Sequence, residues 1–345
     1  MCANVTTSPS SATPERILAP NPDRSEHHPV RRWTDLASPP GWLTGIMSHW
    51  SQDIPSRVWD CLACPYCGGI LELTNGGSEC GFGHHFDLAR HGYVSLLGKQ
   101  SRTDTADTAD MVQARSEFLE AGHYAPIAAA VATAIDEATA GQPVGPVLEI
   151  GAGTGYYLAR SGADGAIALD SSRFAARRAA RALPGLLSVV ADAWDRLPVQ
   201  DRSLGAVLSV FAPRNRTEIH RVLRPGGLLV VVTPEPAHLS ELVDTFGMLS
   251  VDVGKADRLA ETFGALFKAH SRTRVEHRME LTAAAITRLV LMGPSAWHLD
   301  AAAVAATAES LGTVPVTVDV TVSVLVRPAP APLHRVRPRS SRAVD

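Results

Sequence analysis

Val147-Leu148-Glu149-Ile150-Gly151-Ala152-Gly153-Thr154-Gly155-Tyr156 decides how the rest of the chain is read. An apolar run of strand composition enters three glycines at alternate positions. Glycine there permits a tight turn and a close backbone approach to a ligand. The spacing is G-x-G-x-G, not the G-x-G-x-x-G of dinucleotide sites, and no Walker lysine follows, which speaks against nucleoside triphosphates. An acidic residue, Glu149, stands just ahead of the loop. A second strand ends in Asp170 about twenty residues on, where a carboxylate can accept from both hydroxyls of a ribose.

Working outward, strands and helices alternate. Ala166-Ile167-Ala168-Leu169-Asp170, residues 187–192, 206–211 and 228–233 read as further strands, with helices over 172–182 and 215–223 between them. That alternation predicts an α/β fold with a doubly wound, mostly parallel sheet. Residues 274–281 and 316–326 alternate as antiparallel-type strands. Upstream, 111–121 and a segment from Ala125-Pro126 to about Ala140 have helical spacing. The glycine loop, Glu149 and Asp170 together resemble class I S-adenosylmethionine-dependent methyltransferases. Asp192, after the third strand, resembles the residue that meets the adenine amino group there, and Arg224-Pro225-Gly226-Gly227 the turn before the fifth strand. The other reading of Gly151, Gly153 and Gly155 is a plain strand-to-helix turn.

A second motif lies nearer the N-terminus. Cys64-Pro65-Tyr66-Cys67 is followed after twelve residues by Cys80-Gly81-Phe82-Gly83-His84. This is metal-ligand spacing, and four protein ligands leave no position for substrate, so the ion would be a structural zinc. Cys61 forms a competing Cys-x-x-Cys pair with Cys64. The Pro-Tyr turn and following Gly68-Gly69 favour Cys64/Cys67. His85 adjoins His84, and only one of them readily completes the set.

The sequence divides into a disordered extension over 1–55, a zinc-binding module over 56–103, a linker with helices over 104–145, the α/β domain over 146–327 and a disordered basic tail over 328–345. Clustered cysteines suit metal in a reducing cytoplasm better than a disulfide framework. No run of about 18 apolar residues is present, so no membrane span is expected. At a net charge of −3 the whole chain carries no global electrostatic signature of nucleic-acid binding.

Loops at the carboxyl ends of parallel strands line the ligand crevice. Phe211-Ala212-Pro213-Arg214-Asn215 is such a loop, and Phe211, Pro213 and Asn215 are candidates for holding the methyl acceptor. It lacks the Asn-Pro-Pro-aromatic pattern that cradles an exocyclic amino group, which favours an endocyclic ring nitrogen or another acceptor. Asn215 reads equally as a helix N-cap. His238 falls in the loop after the fifth strand and is also compatible with an ordinary hydrogen-bonding role. Trp297-His298 offers either a stacking face or core packing, and Arg115 with Tyr124 either a helix surface or a cap on the cofactor site.

The combination resembles one family. The cysteine module leads into Phe86-Asp87-Leu88-Ala89-Arg90-His91-Gly92-Tyr93-Val94-Ser95-Leu96-Leu97, then Asp110-Met111-Val112-Gln113-Ala114-Arg115 and Phe118-Leu119-Glu120-Ala121-Gly122-His123-Tyr124. These stretches resemble the RlmA/TlrB family of 23S rRNA guanine-N1 methyltransferases. Phe211–Asn215, His238–Asp244 and Met292–His298 are closer to its TlrB-like branch, associated with tylosin and mycinamicin resistance. The resemblance implies S-adenosylmethionine contacts at Tyr124, Gly155, Tyr156, Asp170 and His238, beside Glu149, Gly151, Gly153 and Asp192. It implies zinc on Cys64, Cys67, Cys80 and His84, and a homodimer whose zinc modules grip a 23S rRNA hairpin, with a 748-type guanine favoured over a 745-type one. Arg57, Arg90, Lys99 and Arg102 are the candidate phosphate contacts. A small-molecule methyltransferase and a non-catalytic zinc-stabilised RNA-binding protein are the alternatives. On a two-module picture, removing zinc would abolish RNA recognition and spare cofactor binding.

Overall fold

The computed structural model describes residues 54–74, 76–249 and 262–329. Most of the N-terminal extension and nearly all of the basic tail lie outside the described residues. After the short helix α1 (Ser56–Trp59) come β1 (Leu71–Thr74), β2 (Gly77–Cys80), β3 (His85–Asp87) and β4 (Tyr93–Ser95). Helices α2 (Ala109–Glu120) and α3 (Ala125–Thr139) lead to β5 (Val147–Ile150), β6 (Ala166–Asp170), α4 (Arg173–Ala179), β7 (Leu186–Val190), β8 (Leu204–Val210), α5 (Arg216–Val222) and β9 (Leu223–Pro234). The chain continues through α6 (Ser240–Phe246), β10 (Lys268–Leu281), α7 (Ala283–Leu291), α8 (Ala301–Leu311) and β11 (Val314–Val326).

The main sheet has the order β10-β11-β9-β8-β5-β6-β7-β4. Strands β4 to β9 within it pair in parallel, and β11 and β10 close one side antiparallel. Every residue of β5, β7 and β8 is buried, as expected for parallel strands covered on both faces. The chain winds outward through β5, β6 and β7, then returns to β8 beside β5. That reversal opens a crevice at the carboxyl ends of β5 and β8, where ligands bind in such sheets. The strands and helices expected from the alternation are all present, with ends shifted by a few residues.

The cysteine segment has its own small sheet, β1-β2-β3, yet it is not separate from the large one. β4 adds to the β7 edge with Val94 opposite Val189. Backbone bonds run from Ala63 N to Pro198 O at 3.0 Å and from Gln200 N to Cys61 O at 2.7 Å. Val58, Leu62, Leu71, Phe86, Val94 and Leu96 share one buried cluster with Leu148, Ile150, Ile167 and Leu187 of the sheet.

Candidate functional site

At the crevice lies a cavity of about 690 Å³. Its floor is the glycine turn, where Gly151, Gly153 and Gly155 have φ of 64°, 54° and 75°, a region that disfavours side chains. A Cβ on Gly155 would lie 3.1 Å from Ala182 Cβ and 3.3 Å from Ala179 Cα, so the glycine also lets the turn approach the end of α4. Asp170, at the end of β6, accepts from Gly153 N and Ser172 N, each at 2.8 Å. The carboxylate thereby braces the turn on one side and the start of α4 on the other. Asp192 accepts from Trp194 N at 2.9 Å and from Arg102 N at 3.0 Å.

Glu149 is buried and accepts from Leu158 N at 3.1 Å. Burial pushes its carboxyl up to about 8. It braces the turn at the strand end through one backbone bond, and Asp170 and Asp192 act in the same way.

The opposite wall is aromatic. Phe211 directly follows β8, and its ring stacks on His238 at 5.7 Å with an interplanar angle of 20°. Tyr124 lies 6.1 Å from each of them. Phe211 and Leu239 both line the cavity and have φ of 53° and 58°. Non-glycine residues held there carry backbone strain that the surrounding packing must offset. His238 Nδ1 lies 3.2 Å from Asp319 N, an N–H that can only donate, so Nδ1 is the acceptor. The neutral ring then carries its hydrogen on Nε2, 3.4 Å from Tyr124 Oη. Burial depresses the imidazole to about 4, which keeps it neutral.

Of the residues proposed from sequence, Tyr124, Glu149, Gly151, Gly153, Tyr156, Asp170, Asp192, Phe211, Pro213 and His238 all line this cavity. Gly155 sits behind its floor. Asn215 does not line it. Its side chain receives Glu218 N at 3.4 Å as the N-cap of α5 and donates to Trp194 O at 3.1 Å. Trp297 is 45% exposed on a short turn outside the cavity, so it is neither core nor wall. Arg115 reaches in from α2, paired with Asp107 and donating to Met292 O at 2.6 Å.

Sequence reading missed the strap that crosses the cavity. Arg102, Asp104, Thr105 and Asp107 line it. The strap is pinned by Ser101 Oγ on Asp195 at 2.6 Å, by Arg102 N on Asp192, and by Ser172 Oγ on Asp107 O at 2.6 Å. Two of those bonds use strap backbone, which leaves no residue-type signature; only the density of Ser, Thr and Asp over 101–110 hints at turns.

In the cysteine segment, Cys64, Cys67, Cys80 and His84 place their ligand atoms within 4.8 Å of one another. The separations include 3.5 Å from Cys64 Sγ to His84 Nδ1, 3.6 Å from Cys67 Sγ to Cys80 Sγ and 3.3 Å from Cys80 Sγ to His84 Nδ1. A zinc tetrahedron with bonds of about 2.0–2.3 Å has edges close to these, so the donor set fits a structural zinc. Cys61 stands apart, buried, with its thiol against Arg57 O at 3.2 Å and pushed up to about 11 by that burial. His85 is exposed and pairs with Asp87.

Comparison with known proteins follows the same division. Residues 62–103 match the family described as "RlmA, N-terminal", and residues 148–231 match "Methyltransferase domain". A 23S rRNA (guanine(748)-N(1))-methyltransferase of Streptomyces fradiae is 48% identical over 245 residues, covering 69% of this chain and 86% of that protein. The chain belongs to the RlmA/TlrB family of 23S rRNA guanine-N1 methyltransferases. A second relative, from Micromonospora griseorubida and provisionally named a 23S rRNA (guanine-N(1)-)-methyltransferase, is 44% identical over 277 residues, covering 74% of this chain and 93% of its own length. Among solved structures, the YcgJ protein of Bacillus subtilis overlaps at a TM-score of 0.41 and 12% identity, over 58% of this chain and 98% of that one, too loosely to add to the topology. For this RlmA/TlrB member the cofactors are S-adenosylmethionine and a structural zinc.

Proposed function

We propose that this enzyme methylates N1 of a guanine in a 23S rRNA hairpin, at a 748-type position. The observation that carries the reading is the 48% identity to the S. fradiae enzyme over 86% of its length, beside the family matches at 62–103 and 148–231. Bound S-adenosylmethionine supplies an activated methyl group; the protein supplies placement. In this reading Asp170, Asp192, Glu149 and the glycine turn hold the cofactor, and Tyr124, Tyr156 and His238 border it. A hairpin guanine must leave its stack to enter the cavity, and the Phe211–His238 pair offers the base an aromatic face, with Pro213 beside it. N1 of guanine carries a proton that must leave for attack. The buried carboxylates of the cavity already accept backbone N–H groups, and His238 Nδ1 accepts from Asp319 N. Asp104 and Asp107, which also line the cavity, are paired with Arg102 and Arg115; we assign the proton to solvent at the cavity mouth.

The reading treats 56–103 as the RNA-reading head, 104–145 as linker and helices, and 146–327 as the transfer domain. It extends to a cytoplasmic homodimer and to protection against tylosin- and mycinamicin-type macrolides, both supported by the family resemblance. The test is incubation of the protein and labelled S-adenosylmethionine with 23S rRNA, its domain II hairpin, or a metabolite extract. Label in RNA with a primer-extension stop at one guanine is expected, because N1 lies on the pairing edge. Label only in metabolites, or in no fraction, would refute it.

A further inference from the structure

Helix α4 presents an unbalanced row of guanidinium groups. Arg173, Arg177 and Arg181 follow one another at four-residue spacing and are all exposed, which puts them along one side of the helix. Arg181 lies just past the helix end, where its N–H still bonds Arg178 O at 3.1 Å. Ser188 of β7 donates to Ala176 O at 2.8 Å and so seats α4 on the strand that β4 extends, Tyr93 standing opposite Ser188. The turn before β4 carries Arg90 and His91 towards the same helix. Desolvation, and after it the charges of Arg177, Arg90 and Arg181, lower the pKa of the His91 imidazole. The cysteine segment and the transfer domain thus contribute cations to one surface.

Among the described residues, none of Arg90, Arg173, Arg177 and Arg181 forms a salt bridge with a carboxylate. Other arginines do: Arg57 with Asp164, Arg102 with Asp104 and Arg178 with Glu120. An uncompensated row in a chain of net charge −3 calls for an anionic partner. The row starts beside the cavity, since Asp170 and Ser171 line it and Arg173 follows at the head of α4. It ends at the cysteine segment. Guanidinium forks suit phosphate oxygens, and repeated phosphate contact requires no base sequence.

We propose that Arg173, Arg177 and Arg181 of α4, with Arg90 of the cysteine segment, form a track that grips the phosphate backbone of the RNA stem. This rests on the reading that the substrate is a 23S rRNA hairpin. It also extends the phosphate contacts from the cysteine segment to the α4 side of the transfer domain. Arg57 and Arg102, already paired with carboxylates, recede as candidates.

The test compares the full-length protein with a variant carrying Arg173→Gln, Arg177→Gln and Arg181→Gln, and with the matching lysine variant. Affinity for the domain II hairpin is measured between 50 and 300 mM salt. The glutamine variant is expected to bind on the order of 10²-fold more weakly at 0.15 M salt, with the log–log salt slope reduced by about 2–3. Melting temperature and cofactor affinity should stay unchanged, and the lysine variant should keep most of the slope. Unchanged RNA affinity and slope in a folded glutamine variant would overturn the track. A photoreactive residue at position 177 of the otherwise native chain gives an independent reading. Capture of RNA supports the proposal; capture of a second protein chain in place of RNA overturns it. A wild type that binds the hairpin through these arginines but does not methylate it would refute the activity and leave the track standing.

Discussion

Removing the zinc should damage cofactor binding as well as RNA binding. The two-module expectation was that the metal site could be lost with the transfer domain intact. The structure opposes that, because the metal hairpin and the sheet bury one cluster. Leu71 and Phe86, on strands that flank the ligands, are 2% and 7% exposed and belong to the same buried cluster as Leu148, Ile150 and Ile167. Ile150 immediately precedes the glycine turn, and Asp170 follows Leu169 of the same cluster. Without the ion, Cys64, Cys67, Cys80 and His84 lose the bond network that fixes the hairpin, and Leu71 and Phe86 lose their seats. Exposing two such side chains costs about 3–6 kcal/mol. For a chain of this size that lowers the melting temperature by roughly 5–10 °C. The assay is stepwise chelation with released zinc quantified, followed by calorimetry and by titration with S-adenosylmethionine on the same samples. Both stability and cofactor affinity should fall as zinc leaves, and both should return when zinc is restored. A zinc-free protein with its melting temperature and cofactor affinity unchanged would refute the reasoning and restore an independent head.

Two further perturbations separate roles that lie close together. Phe211→Ala removes the ring stacked on His238 and should lower kcat/KM on RNA by roughly 10–100-fold with little change in cofactor affinity. Asn215→Ala instead removes the α5 cap, costing about 1 kcal/mol of stability and leaving turnover per folded molecule unchanged; lost turnover at unchanged melting temperature would place Asn215 in the chemistry. Glu149 has its folded value raised to about 8 from an ordinary 4.5. The stability it gives as the protonated acid is therefore full below pH 4.5 and lost as pH rises through 8. Melting temperatures of the cofactor-free protein at pH 5 and 9 should diverge less in Glu149→Gln than in the wild type, and an identical divergence would show that Glu149 does not titrate in that window.

What was legible in the sequence was whatever residue type alone can encode. Buried parallel strands need apolar runs, so β5 to β9 stand out. The glycine turn needs residues free of Cβ, and the zinc site needs thiolates at a fixed spacing. What stayed hidden depends on backbone groups and on partners far along the chain. β4 is three residues long, too short for a pattern, and joins the sheet only because β7 offers it an edge. The strap over 101–107 reads as a spacer because its grip on Asp192 is a backbone N–H. His238 shows no sign of its tautomer until Asp319, on β11, is placed against it. These hidden contacts share a consequence. Ser101 and Arg102 follow directly from the cysteine segment and bond Asp195 and Asp192 at the cavity. Any movement of that segment is therefore transmitted to Asp192 in the cavity wall and to Asp195 beside it. The short strap and the shared cluster make the metal site part of the support of the transfer site.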